Sequence, residues 1–251
     1  MRALAWLVAR PVAHRGLHDA SDVIENTPSA FAAAIAAGYG IECDLQVSAD
    51  GEAMVFHDAT LGRLTQEGAS IDSMPASKLK RVRFRHTTDH MITLGELCDI
   101  TAGRTPLLIE MKSHFPGDCR LVQRCIAVIS AYRGAAALMS FDATLVAALR
   151  ARAPALTRGV VADKNRSPAR VNARGSMVAW ARRYGALFRA QPHFIAFAVD
   201  DLPDPMPAVG RNLFGRPVLA WTVRTPMQQD TARRYADQII FEGFRPSSRA
   251  G

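Results

Sequence analysis

Three observations predict an α/β fold of the (β/α)8 TIM barrel type. The chain has 251 residues, close to the ~250 residues that one such barrel typically takes. Hydrophobic residues make up 49% of the chain, which is enough for a full core. Strand-like and helix-like segments alternate without an obvious linker, as in a parallel sheet with crossover helices. We therefore expect a single barrel domain over residues 1–251.

Nine segments have the composition of β-strands, which is one more than the barrel can hold. They are 11–14, 40–46, 53–57, 106–111, 136–140, 157–162, 193–199, 217–223 and 238–241. The gap between 40–46 and 53–57 is too short for a crossover helix, and it contains the tight-turn signal Asp50-Gly51. Segment 53–57 is therefore expected to pair antiparallel with 40–46, which leaves eight barrel strands.

Helices are predicted between the strands. Thr27 and Pro28 supply an N-cap and a first-turn proline for a helix that ends at Gly38. Further helices are expected at 118–131, 142–152, 176–190 and 225–236. The third of these further helices carries an apolar stripe, interpreted as core packing, at Met177, Trp180, Tyr184, Leu187 and Phe188.

Polar clusters end four of the strand-like runs. They are His14-Arg15-Gly16, Glu42-Cys43-Asp44, Phe56-His57-Asp58 and Glu110-Met111-Lys112. In a (β/α)8 barrel the active site lies at the carboxyl ends of the strands. The hairpin returns His57 to the same end, so the sequence predicts one site that contains all four clusters.

The carboxylates of these clusters predict a site for a hard divalent metal. Side chains alternate along a strand, so Glu42 and Asp44 share one face, and Glu110 shares a face with Lys112. Three oxygen ligands from two strands suit Mg²⁺ or Ca²⁺, whereas zinc favours thiolate and imidazole.

The remaining polar groups indicate acid-base chemistry on an anion. His14 and His57 are free to act as general base and general acid, since an imidazole titrates near pH ~6.5. Arg15 and Lys112 add positive charge that the metal cluster does not need for itself. A phosphodiester supplies the missing anion, because phosphoryl transfer depends on positioning and charge neutralisation.

These residues resemble the glycerophosphodiester phosphodiesterase family. The resemblance is clearest over roughly the first 145 residues and is thinner to the end. Its motifs are Ala13-His14-Arg15-Gly16, Glu25-Asn26-Thr27 with Ala30-Phe31, Gly40-Ile41-Glu42-Cys43-Asp44, Asp50-Gly51, Val55-Phe56-His57-Asp58, Leu61-Gly62-Arg63-Leu64-Thr65, Thr93-Leu94-Gly95-Glu96-Leu97, Ile109-Glu110-Met111-Lys112, Ser140-Phe141-Asp142 and Trp221-Thr222-Val223. The combination is far more specific than any single triplet.

The resemblance implies metal-dependent hydrolysis of glycerophosphodiesters to sn-glycerol 3-phosphate and an alcohol, by a pair of histidines. It implies that Glu42, Asp44 and Glu110 bind the metal and that His14 and His57 are the acid-base pair. It also implies that Arg15 and Lys112 contact the phosphate and that Trp221 lines the pocket. It further implies that segment 58–105, after the second barrel strand, is a small insertion that caps the mouth and helps to choose the substrate. A surface excursion without ligand contact is the other interpretation of that segment.

The sequence departs from the common pattern of the family at three motif positions. Ile24 stands before Glu25-Asn26-Thr27 where proline is usual, Arg224 where asparagine is frequent, and Glu242 where aspartate is commoner. These departures leave the pocket for the leaving alcohol unassigned.

The roles of several loop residues stay open at this level. Glu25 and Asn26 either contact Arg15 or shape the loop before the helix, and Asp58 is expected to orient its neighbours. Which of His14 and His57 is the base is undecided. So is the attacking group, which is the glycerol 2-hydroxyl or water.

Two other functions remain open. A lysophospholipase D would act on lysophospholipids and would need an apolar groove at the mouth. Candidate groove residues are Phe84, Met91, Phe115, Phe188 and Phe214. A non-catalytic barrel that only binds phosphorylated ligands is the second alternative, although it has no need for an acid-base pair.

Charge and cysteine content bear on partners and compartment. The net charge of +8 favours anionic partners, including an anionic membrane surface, but the arginines are dispersed, so a solvated face is an equally good interpretation. No motif indicates nucleic-acid binding, and the oligomeric state is not predicted. Cysteines at 43, 98, 119 and 125 show no paired spacing, which favours reduced thiols and the cytoplasm.

The apolar run from Ala3 to Ala9 resembles a signal peptide but is interpreted as part of the domain. It lies too close to His14, because cleavage after it would cut into the first barrel strand. No apolar stretch reaches the ~18 residues of a membrane span.

Overall fold

The fold is that of a closed (β/α)8 barrel, in a computed structural model that describes residues 4–19, 23–113, 118–164 and 189–246. The apolar stripe predicted between Met177 and Phe188 lies outside these residues. Within them the strands are β1 (Val12–Ala13), β2 (Gly40–Val47), β3 (Ala53–Val55), β4 (Leu107–Met111), β5 (Ala136–Ser140), β6 (Thr157–Ala162), β7 (Phe194–Ala198), β8 (Val218–Val223) and β9 (Gln238–Phe241).

The sheet closes because β1 pairs in parallel with both β2 and β9. The other barrel strands follow in the order β9, β8, β7, β6, β5, β4 and β2, all parallel. Strand β3 lies outside this ring and pairs antiparallel with the end of β2. The predicted barrel, its eight strands and its extra hairpin strand are therefore confirmed.

The helices in the described part of the chain are α1 (Ala5–Val8), α2 (Pro28–Ala36), α3 (Ala76–Leu79), α4 (Leu94–Thr101), α5 (Arg120–Ala131), α6 (Ala143–Arg152), α7 (Pro205–Phe214) and α8 (Pro226–Tyr235). Short 3-10 turns occur at Ile71–Ser73 and Val199–Asp201. Helix α2 begins as predicted, with Pro28 in its first turn and the Thr27 hydroxyl accepting a hydrogen bond from the Ala30 N–H. None of the helices in the ranges given above is long and apolar enough to cross a membrane.

Every barrel strand except β2 contributes to two separate cores. Outward-facing residues such as Cys43 and Ile109 pack with the helices, whereas inward-facing residues such as Leu108 pack with one another inside the barrel. Leu7 of α1, which is 1% exposed, belongs to the interior cluster. Helix α1, which forms most of the apolar run near the start of the chain, thus packs into the barrel.

Segment 58–105 contains two kinds of structure. Helix α4 contacts α2 and α5, so it belongs to the ring of helices around the barrel. Most of the part before it packs around its own small core, which includes Leu61, Ile71 and Leu79.

Candidate active site

The predicted site residues lie together in a cavity of about 260 Å³ at the carboxyl ends of the barrel strands. Its lining includes seven of the eight residues singled out above, together with Phe141, Asp163, Thr222 and Arg224. The eighth, Asp44, is buried and contacts the lining residues Arg15 and Lys112.

Three carboxylates form the base of the site. Glu42, Asp44 and Glu110 are all buried, and one potential ligand atom from each lies within 4.8 Å of the others. Asp44 is paired in register with Glu110 across the parallel strands β2 and β4, which is why their side chains meet inside the barrel. The donors are oxygen atoms only, so the cluster fits a hard divalent cation.

The surroundings shift the pKa values of these three carboxyl groups in different directions. Burial, followed by the neighbouring carboxylates of Asp44 and Glu110, raises the pKa of Glu42 well above its usual value. Burial also raises the pKa of Glu110. For Asp44 burial acts in the same direction, but Lys112 and Arg15 outweigh it and hold the pKa well below its usual range. Asp44 is thus the most readily ionised member of the cluster.

Two cations neutralise part of this charge. The Lys112 Nζ lies 2.7 Å from Asp44 Oδ1 and 2.7 Å from Glu110 Oε1. The Arg15 Nε lies 3.1 Å from Asp44 Oδ2, and the Arg15 backbone N–H donates to Glu42 Oε2 at 2.9 Å. Positive charge therefore borders the carboxylates on the side of the cavity.

The loop after β1 is held close to helix α2. Gly16 has φ +81°, and a Cβ atom there would lie 2.8 Å from Ala30 Cβ, so only glycine fits this approach. The neighbouring Arg15 also has a positive φ of 56°. This turn directs the Arg15 side chain to the acidic cluster.

His14 is oriented by a carboxylate that the sequence interpretation did not select. Its Nδ1 lies 2.5 Å from Glu242 Oε2, while its Nε2 lies 4.0 Å from Glu42 Oε2. Burial lowers the pKa of His14, although the Glu242 hydrogen bond acts against that shift. The sequence signal for Glu242 is its position directly after the last strand, because the other polar clusters also lie at strand ends.

His57, which lies just after β3, is oriented by a carboxylate in a similar way. Its Nδ1 lies 2.6 Å from Asp58 Oδ1, and Asp58 Oδ2 accepts from Arg63 Nε at 2.6 Å. Burial lowers the pKa of His57, with Asp44 acting in the other direction. Asp58 therefore orients His57, in line with the expectation from the sequence.

Glu25 and Asn26 serve different neighbours. Glu25 accepts from the Arg15 guanidinium at 2.8 Å and also pairs with Arg63. Asn26, which is 1% exposed and has φ +57°, donates to Asp44 Oδ2 at 2.9 Å and accepts from the Asp44 backbone N–H. Glu25 thus connects the loop after β1 to the Arg15 side chain, and Asn26 connects the same loop to Asp44.

Trp221 and Phe141 form an aromatic wall of the cavity. Their rings meet edge to face, with centroids 5.4 Å apart. The Trp221 Nε1 is buried without a hydrogen-bond partner among the residues that the structure describes. A ligand oxygen in the cavity would satisfy such a donor.

The apolar groove considered for lysophospholipids is not formed by the candidate residues that can be located. Phe84 and Met91 are buried in the separate core of segment 58–105. Phe214 is exposed but ends α7, directly before β8 begins, and so lies at the amino end of the barrel, away from the cavity. Phe115 and Phe188 lie outside the described residues.

Comparison with known proteins identifies the family of this chain. The sequence profile of the glycerophosphoryl diester phosphodiesterase family matches residues 14–241. A glycerophosphodiester phosphodiesterase of Caldanaerobacter subterraneus subsp. tengcongensis is 31% identical over 132 residues, which are 48% of this chain and 52% of that protein. The chain thus spans about half the length of this curated relative.

Solved structures share the fold. A phosphodiesterase of Oleispira antarctica, determined in complex with the product sn-glycerol-3-phosphate, superposes with a TM-score of 0.75 at 20% identity over 92% of this chain and 91% of that chain. A glycerophosphodiester phosphodiesterase of Thermotoga maritima superposes with a TM-score of 0.69 at 24% identity, over 92% and 94% of the two chains.

Proposed function

The chain belongs to the glycerophosphoryl diester phosphodiesterase family, and we propose that it hydrolyses glycerophosphodiesters to sn-glycerol 3-phosphate and an alcohol. One observation carries the proposal. Two histidines, each with a carboxylate at Nδ1, share a cavity with three clustered carboxylates and two cations. Family membership alone gives the reaction class, whereas this arrangement supplies the groups that the reaction needs.

The acidic cluster is the proposed site of one divalent metal, Mg²⁺ or Ca²⁺. Glu42, Asp44 and Glu110 would hold it through their oxygen atoms. When bound, the ion supplies positive charge that a phosphodiester needs in its transition state.

The two histidines are the proposed proton-transfer groups. A carboxylate at each Nδ1 favours the tautomer with a proton there and leaves Nε2 available to the cavity. One neutral imidazole takes the proton of the attacking group, which is the glycerol 2-hydroxyl or water, and the other ring, as an imidazolium, gives its Nε2 proton to the departing alcohol oxygen. Where the 2-hydroxyl attacks, water then opens the cyclic phosphate to give glycerol 3-phosphate. Glu242 and Asp58 stabilise the imidazolium forms that arise during these steps.

Arg15 and Lys112 are the proposed phosphate contacts. Both are already ion-paired with carboxylates of the cluster, so their positions are fixed before a substrate binds. Fixed charges of this kind stabilise developing negative charge without reorganising. Trp221 is proposed to bind the ligand through its Nε1, which has no hydrogen-bond partner in the described part of the chain.

The proposed substrates are water-soluble diesters rather than lysophospholipids. No apolar groove forms from the candidate residues that the structure describes, as shown above for Phe84, Met91 and Phe214. Segment 58–105 is proposed to influence the choice of alcohol, since Asp58 and Arg63 of this segment contact His57 and Glu25. The four cysteines are free, which supports a reducing compartment such as the cytoplasm.

The test is release of glycerol 3-phosphate from glycerophosphocholine and glycerophosphoethanolamine, alongside release of choline from lysophosphatidylcholine. We expect release from the two soluble diesters that stops in EDTA and returns with Mg²⁺ or Ca²⁺. His57→Ala is expected to lower turnover by about 10²- to 10⁴-fold, the usual contribution of a proton-transfer group. The exposed His90, changed to alanine, is the matched control.

Other outcomes would replace the proposal. Choline release from the lysolipid alone would make the protein a lysophospholipase D. Ligand binding without turnover in the wild-type protein would favour the non-catalytic barrel. Turnover that is unaffected by His57→Ala would contradict the acid-base assignment.

A further inference from the structure

Three side chains form a continuous hydrogen-bonded chain that ends on His14. Arg224 Nε lies 2.5 Å from Glu242 Oε1, and Glu242 Oε2 lies 2.5 Å from His14 Nδ1. Arg224 directly follows β8 and Glu242 directly follows β9, so adjacent strands present the pair to the mouth of the barrel. The Arg224 side chain is also part of the cavity lining.

The backbone of Arg224 is fixed at the start of helix α8. The Arg224 N–H donates to Gln228 Oε1 at 2.8 Å, and Gln228 also completes the capping box of that helix with Thr225. The backbone of Arg224 is therefore held in a defined position, although its side chain is half exposed.

The glutamate between them needs such an anchor. A glutamate side chain has three rotatable bonds, and one hydrogen bond to a ring nitrogen leaves much of that freedom. Arg224 engages the second oxygen, so both carboxylate oxygens have a partner and the orientation of Glu242 is determined. His18 Nε2, 3.7 Å from Glu242 Oε2, is the other basic group near this carboxylate.

We propose that Arg224 is a positioning residue for the reaction proposed above: it holds Glu242 so that His14 keeps its Nδ1 proton and presents Nε2 to the cavity. The inference rests on the proposed function, because positioning matters only if His14 transfers a proton. Arg224 acts through Glu242, and its effect belongs to the turnover step rather than to substrate affinity.

The test is a double-mutant cycle with Arg224→Gln, Glu242→Gln and the double variant, measured as kcat and KM on the best soluble diester. We expect Arg224→Gln to lower kcat about tenfold and Glu242→Gln about 100-fold, the range in which supporting hydrogen bonds to functional histidines act. KM is expected to stay within about twofold. The double variant should resemble Glu242→Gln, because coupled residues do not add.

Arg211→Gln is the matched control. Arg211 pairs with Asp237 at 2.8 Å, and Asp237 lies at the amino ends of β8 and β9, the opposite ends of the same two strands. Its side chain is partly exposed, as is that of Arg224. We expect kcat and KM of Arg211→Gln to equal the wild-type values.

A nuclear magnetic resonance measurement separates this inference from the proposed function. The Nδ1 proton of His14 should give a slowly exchanging, downfield signal in the wild-type protein and in Arg211→Gln, weakened in Arg224→Gln and absent in Glu242→Gln. If the wild-type protein turns over no diester, the proposed function fails, while this signal still decides whether Arg224 positions the pair.

Three results would overturn the inference. Additive losses in the cycle would show that Arg224 does not act through Glu242. A rise in KM at unchanged kcat would make Arg224 a substrate contact. An unchanged His14 signal in Arg224→Gln would show that Glu242 needs no anchor.

Discussion

The inside of the barrel has two layers that differ in chemistry, although β1, β4 and the residues that follow them contribute to both. The floor layer is apolar and comprises the interior cluster of Leu7, Val12, Leu108, Ala137, Met139, Val161, Phe194, Ala196, Leu219 and Ile240. The mouth layer is charged and comprises Glu42, Asp44, Glu110, Lys112, Arg15 and His14. Leu108 and Glu110 are two residues apart on β4, so the change occurs within one step along the strand.

The two layers are stabilised by different interactions. In the floor layer close packing is sufficient, and a Cβ at Gly159 would lie only 2.3 Å from the Phe194 ring. In the mouth layer burial opposes the charge of every carboxylate, and the nearby cations outweigh burial for Asp44 but not for Glu42 or Glu110. The floor layer therefore supports the fold, whereas the mouth layer holds charges that folding alone would not favour.

Neutralising Glu42 should give the largest effect and should separate activity from stability. Glu42→Gln removes repulsion from the other two carboxylates, and the new amide oxygen can still accept the Arg15 N–H bond. We expect activity to fall roughly 10²- to 10³-fold, as for other losses of a fixed electrostatic contact. The metal-free free energy of unfolding, measured by urea titration, should not fall.

The same variant also tests the metal. Added Mg²⁺ or Ca²⁺ should raise the melting temperature of the wild-type protein, because a ligand that binds only the folded state stabilises it. The rise should be much smaller for Glu42→Gln. A clear loss of metal-free stability in the variant would contradict the view that the mouth layer opposes folding.

Shortening an apolar side chain in the floor layer should have the opposite effect: stability should fall, and KM should stay nearly unchanged. Leu108 is fully buried, and Leu108→Ala is expected to lower the free energy of unfolding by about 2–5 kcal/mol through lost burial and a cavity. KM for the diester should stay near the wild-type value below the melting temperature. A large change in KM without loss of stability would show that the two layers are not separable.

The smallest expected effect concerns Glu25, at the edge of the mouth. Burial opposes its ionisation, but Arg63 and Arg15 outweigh burial and lower the pKa of Glu25 from its ordinary value of 4.5. A carboxyl group with a lowered pKa in the folded state stabilises the fold above its ordinary pKa. That contribution disappears as the pH falls through the lowered value.

We therefore expect Glu25→Gln to lower the free energy of unfolding by about 1 kcal/mol at pH 7, and by progressively less below pH ~4.5. Urea unfolding of both proteins across this pH range is the measurement. Asp230→Asn, which breaks the exposed pair with Arg233, is the control and should show no such pH dependence. A difference that stays constant with pH would mean that Glu25 does not act through its charge.

Much of the fold was predictable because local signals agreed with the tertiary structure. The predicted extra strand and its antiparallel pairing followed from a gap too short for a helix, and β3 confirms both. The helix start at Pro28 followed from its Thr27 cap, and the helix expected at 225–236 is observed as α8. The apolar groove was the weakest expectation, because aromatic composition does not say which core a side chain enters, and Phe84 enters the separate core of segment 58–105.

The sequence by itself determined the order of the strands and the clusters at their ends, because strand periodicity and crossover length are local properties. It did not reveal that Glu242 contacts His14, 228 residues away, or that Arg224 contacts the same carboxylate. Nor did it decide between the two interpretations of Glu25 and Asn26. The contact between His14 and Glu242 exists only because the barrel closes between β1 and β9. The other contacts depend on which strands and loops lie side by side at the mouth, and no local pattern encodes those distances.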